Sequence, residues 1–78
     1  MAHRLIEALD VLEQGDWALA HEIVQGDSSG EGSWLHAHLH RIEGDHGNAR
    51  YWYRQAGRSP STASEAEERR AIRRALGG

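Results

Sequence analysis

A chain of 78 residues with 12 acidic and 9 basic side chains, a net charge of -3 and no cysteine describes one small domain, residues 1–78. Folding at that length buries only roughly 60–65% of the surface the unfolded chain exposes, which excludes a second core; the missing thiols exclude disulfides, thiolate zinc sites and a cysteine nucleophile. No apolar run reaches the roughly 20 residues needed to cross a bilayer, and Met1-Ala2-His3-Arg4 leads into an acidic amphipathic segment rather than a signal-peptide core, so a cytoplasmic protein without membrane attachment is expected.

The charge is unevenly placed. Residues 1–32 hold one Arg against seven acids, and residues 33–78 hold eight Arg against five. Such polarity argues against a uniformly basic nucleic-acid binder, and it could orient a protein partner or a second copy of the chain, so a homodimer is an open option.

From the N-terminus, His3 to Gln14 places Leu5, Leu9 and Leu12 at i, i+4, i+7, with Glu7, Asp10 and Glu13 opposite, which predicts an amphipathic helix closed by Gly15. Asp16 is the expected N-cap of a second helix, Trp17 to Gln25, whose stripe is Trp17, Ala20, Ile23 and Val24. Asp27 to Gly32 reads as a loop with Ser33 as the next N-cap, and the third helix, Trp34 to Glu43, aligns Leu35, Leu39 and Ile42 before stopping at Gly44-Asp45. The fourth helix, about His46 to Gly57, carries Ala49, Trp52, Tyr53 and Ala56 on one face, and Ser59-Pro60 follows it. A last helix is expected over about 62–76, started by a Thr62-x-x-Glu65 capping box, with acids early and arginines late as the helix dipole prefers. Pairs such as Glu65 and Arg69 at i, i+4 would satisfy those arginines within the helix.

Setting Gly15-Asp16 over Gly44-Asp45 superposes Ala8 on Ala37, Ala20 on Ala49, Ile23 on Trp52 and Val24 on Tyr53, an internal period of 29 residues. The fold class is therefore all-α: two antiparallel helical hairpins, about 3–26 and 33–57, with a C-terminal capping helix, five helices in total. Ala37, Gly44-Asp45, Ala49, Tyr53 and Ala56 stand at the small and aromatic positions of tetratricopeptide repeats, which the chain resembles. The run Asn48 to Ala56 is also similar to the second helix of Sel-like repeats. The first repeat departs from that pattern, with Val24 and Asp27 where the families have a large aromatic and an alanine. The resemblance implies a protein or peptide partner bound along the first helix of each hairpin, and the partner-binding residues expected here are Trp34, His38 and Arg41 with the exposed edge Tyr51 and Arg54.

Chemistry concentrates between Trp34 and His46, which holds four of the six histidines. His36 and His40 at i, i+4, with Glu43 at i+7, project from one helix face, an arrangement able to present two imidazoles and a carboxylate to one divalent metal such as zinc. The competing reading leaves them as polar residues flanking the buried Leu35, Leu39 and Ile42. No HExxH run occurs, no catalytic residue is assigned, and a non-enzyme is expected. The cluster Arg50-Tyr51-Trp52-Tyr53-Arg54 has rings and cations as a nucleic-acid site would, but helical geometry turns Trp52 and Tyr53 into the core, so nucleic acid is not the expected partner. A protein-interaction module leads, and a His/carboxylate metal-binding protein is the alternative.

Overall fold

A computed structural model describes residues 2–77; Met1 and Gly78, the ends of the expected domain, lie outside the described residues. Five helices follow in order: α1 (Ala2–Glu13), α2 (Trp17–Gln25), α3 (Gly30–Ile42), α4 (His46–Gln55) and α5 (Glu65–Ala75). Among the described residues there is no strand, and the chain is all-α as expected.

The helices stop where the Gly-Asp pairs stand. Gly15 and Gly44 take φ of 92° and 84°, a left-handed conformation that a side chain would strain. In each corner the glycine N–H donates to the carbonyl three residues back (Leu12, Arg41) and the following Asp N–H to the one five back (Val11, His40), a Schellman closure. Each Asp then caps the next helix: Asp16 accepts from the N–H of Leu19 and Asp45 from that of Asn48. Gly57, at φ 72°, ends α4 with the same pair of hydrogen bonds, to Arg54 and, through Arg58 N–H, to Tyr53.

Two helix starts differ from expectation. The Ser29 hydroxyl, not that of Ser33, caps α3 by accepting from Gly32 N–H, so the helix begins four residues early. Gly32 makes this possible: a Cβ there would stand 2.8 Å from the Asp27 carbonyl oxygen, so only glycine lets the loop fold back on the first turn. The capping box of α5 is formed by Ser64 and Glu67, two residues beyond the Thr62/Glu65 pair of the same pattern.

Helix α3 is the axis of the domain, packing against α1, α2, α4 and α5. Every residue from Gly32 to His40 is buried. The apolar core gathers Leu5, Ala8 and Leu9 of α1, Ala20, Ile23 and Val24 of α2, Leu35, Ala37 and Leu39 of α3, Ala49 and Tyr53 of α4 and Ile72 of α5. Arg73 crosses from α5 to Asp10 (3.0 Å) and Glu13 (3.2 Å) of α1, so part of the charge asymmetry between the chain's halves is resolved within the molecule.

One carboxylate fastens α5 to the rest. Glu68 is 2% exposed, and its two oxygens accept from four donors: Oε1 from His38 Nδ1 (2.6 Å) and Arg41 Nη1 (2.9 Å), Oε2 from Trp34 Nε1 (3.0 Å) and Tyr53 Oη (2.5 Å). Burial pushes this carboxyl up, and the hydrogen bonds from His38, Tyr53 and Arg41 outweigh it, holding the group at about 2. Burial and the bond to Glu68 push the Tyr53 phenol the other way, well above its ordinary value.

Trp34, His38 and Arg41 are thereby turned inward. The side of α3 expected to receive a partner is covered by α5, because a carboxylate with four donors satisfies polar groups that would otherwise face solvent. Replacing Glu68 by Ala should leave three buried donors and a guanidinium without their acceptor, at a cost of roughly 3–5 kcal/mol, lowering the melting temperature by more than about 12 °C. Arg73→Ala, which removes a half-exposed pair, should cost under about 1 kcal/mol in the same thermal unfolding experiment.

Candidate metal centre

The opposite side of α3 carries His36 and His40 at successive turns, 5% exposed each, with their rings stacked 4.9 Å apart. Across from them, α2 supplies His21, whose Nε2 lies 3.1 Å from Nε2 of His36. One nitrogen from each of the three imidazoles falls within 4.8 Å of the others. Imidazoles that share a tetrahedral zinc hold their nitrogens about 3.4 Å apart; the His21/His36 pair, at 3.1 Å, is close to that spacing, and the His40 nitrogen lies within 4.8 Å of both.

The expected third ligand, Glu43, is employed differently. Its Oε1 stands 2.6 Å from Nδ1 of His40, which fixes the ring and leaves Nε2 as the nitrogen His40 can offer. A second set, His40, Glu43 and Asp45, also brings ligand atoms together. Its members have other tasks: Glu43 orients His40, and Asp45 caps α4.

Two tryptophans wall the three-histidine cluster. The Trp17 ring stacks on His21 at 4.8 Å and 9°, and its Nε1–H donates to the Leu39 carbonyl oxygen at 2.8 Å, anchoring the start of α2 to α3. Trp52 of α4 stacks on His36 at 3.9 Å and 12°. The rings are thus held from both sides by aromatic faces, with their nitrogen edges turned toward one another.

Electrostatics favours the neutral form of two of these imidazoles, His36 and His21. Burial, then the neighbouring rings of His21 and His40, lower His36 to about 4. Burial, then His40, lower His21 also, with Glu43 partly opposing. A neutral imidazole is the form that ligates metal, so at neutral pH the pair is ready without losing protons to solvent.

Of the expected partner-face residues, Tyr51 and Arg54 remain exposed on α4, away from the buried Trp34 and His38 and the partly buried Arg41. The Arg58 guanidinium lies over the face of the Trp34 ring, 3.5 Å from its centroid. His21 is the residue that reasoning along the sequence missed. It stands one turn beyond Trp17, the head of the second helix's apolar stripe, and that i, i+4 relation is the one sign that it faces the third helix.

Comparison with protein-family models, with curated proteins and with solved structures gave no match.

The sign of the pH response follows from His36. Its folded pKa of about 4 lies below the ordinary 6.5, so the unfolded chain binds more protons between those values. Its contribution is complete above pH 6.5 and is lost as pH falls toward 4, by up to about 3 kcal/mol. Glu68 acts in a separate window, from 4.5 down toward 2. Urea unfolding at pH 7.5, 5.5 and 4.5 should therefore show stability falling across this range, and His36→Gln should flatten the decline.

Proposed function

We propose that this protein binds a divalent cation of the zinc type through His21, His36 and His40, with Glu43 orienting His40. The convergence of three imidazole nitrogens from two helices within 4.8 Å is the observation that carries this reading. Nitrogen donors of this kind suit zinc, copper and nickel. Zinc has no geometric demand of its own and accepts three histidines with a fourth position left to water or a partner ligand. Because His21 belongs to α2 and the other two to α3, a bound ion would bridge the two hairpins and stabilise the fold.

Without an ion, the N···N contact of His21 and His36 pairs one donor with one acceptor, so the cluster is also consistent with a hydrogen-bonded packing element. Zinc titration followed by thermal unfolding separates the two. Free zinc at 100 times its dissociation constant adds about 2.7 kcal/mol, a rise of roughly 10–20 °C for a chain this size. The rise should vanish in His21→Ala and in His36→Ala, and Glu43→Gln should weaken zinc binding about 10- to 100-fold. An unchanged melting temperature at saturating zinc in the wild-type protein contradicts the reading.

A protein-interaction module, with or without a homodimer, is the second reading. It rests on the exposed Tyr51, 45% accessible, and Arg54, since Trp34 and His38 are enclosed. Light scattering on the purified chain tests the dimer directly: a mass of one chain across the micromolar range removes it.

A further inference from the structure

On the α5 side of the molecule, and independent of the three histidines, a cavity of about 290 Å³ opens between α4, the segment after it and Arg41. His46, Ala49, Arg50 and Tyr53 stand at i, i+3, i+4 and i+7, one face of α4, and form one wall. Pro60 forms the other. The Tyr53 ring, Ala49 and Pro60 make an apolar interior, and His46, Arg50 and Arg41 place nitrogen donors around it.

The two arginines differ in kind. Arg41 is immobilised: Nη1 donates to Glu68 and Nη2 to the Ala63 carbonyl oxygen, which fixes the plane of the guanidinium beside the cavity and balances its charge against Glu68. Arg50 is exposed, and no ion pair among the described residues engages it. The cavity therefore has an apolar body, one rigid multi-donor group and one uncompensated cation at its rim. Its volume, at the small end of ligand pockets, suits a molecule of about one ring.

We propose that this cavity binds a small organic carboxylate, its apolar body against Ala49, Pro60 and the Tyr53 ring and its carboxylate paired with Arg50 and the N–H groups that Arg41 has left. Planar guanidinium groups match a carboxylate with two parallel hydrogen bonds, which an ammonium cannot. The apolar walls would discriminate against a bare inorganic anion, and Arg50 against a neutral molecule of the same shape.

Benzoate, benzyl alcohol and inorganic phosphate are the probes, each titrated into metal-free ¹⁵N-labelled protein and followed by two-dimensional NMR. Benzoate should produce saturable shifts confined to residues 46–53, Ser61 and the Arg41 side chain. Arg50→Ala, an exposed change that should leave the melting temperature within about 2 °C, should weaken binding at least tenfold. Arg54→Ala, one turn further along α4 and outside the cavity, should bind benzoate as the wild type does. Shifts that fail to saturate, that benzyl alcohol or phosphate reproduces at equal concentration, or that Arg54→Ala weakens as much as Arg50→Ala, overturn the assignment.

Discussion

The whole structure answers to one constraint: a helix buried along nine consecutive residues, Gly32 to His40, that carries a serine and three histidines among them. A helix enclosed on every side is normally apolar all round, because a polar group without a partner in the interior costs roughly 1–3 kcal/mol. Polar side chains of α3 must therefore find partners, and neighbouring helices supply most of them: Glu68 of α5 meets Trp34 and His38, and His21 of α2 meets His36, while Glu43 at the end of α3 itself meets His40. Among the described residues, no buried side-chain nitrogen or oxygen is left without a partner.

The two sides of α3 solve this differently. Toward α5, the demand is closed by a single carboxylate whose four acceptor positions are taken by four donors from α3 and α4, a network complete within the chain. Helix α5 has a thin apolar stripe, and its attachment depends on Glu68 and Ile72 more than on breadth of contact. Toward α2, imidazoles meet imidazoles. Three rings flanked by Trp17 and Trp52 turn nitrogens toward one another, and burial and the neighbouring rings disfavour protonation of His36 and His21. A complete network specifies structure. A cluster of converging imidazole nitrogens is one that a cation can complete, and this difference is why the functional proposal is placed on the α2 side.

What the sequence disclosed follows the range of the forces involved. The Gly-Asp corners were legible because both halves of the signal are local: a glycine that can take positive φ, and an aspartate that caps the helix immediately following. Helix starts were less so. Ser29 and Ser33 are both credible caps, and the choice is made by the fold of Asp27 over Gly32; Thr62/Glu65 and Ser64/Glu67 are the same pattern two residues apart. At the site, the His36/His40 pair could be read from helical spacing alone. His21 could not be joined to them without knowing that α2 packs on α3. Glu68 sits in a charge-dense run that reads as a solvated helix, and Trp34, His38 and Arg41 read as a partner face because nothing in the sequence says that α5 folds over them.

The central claim, that α3 keeps one polar side for structure and offers the other to a metal, is tested most directly by X-ray absorption on the zinc-loaded protein at one equivalent. The account predicts about three nitrogen neighbours near 2.0–2.1 Å, with the outer-shell scattering of imidazole rings. A first shell of oxygens without imidazole scattering would contradict it, placing the ion on surface carboxylates and leaving the three histidines as packing.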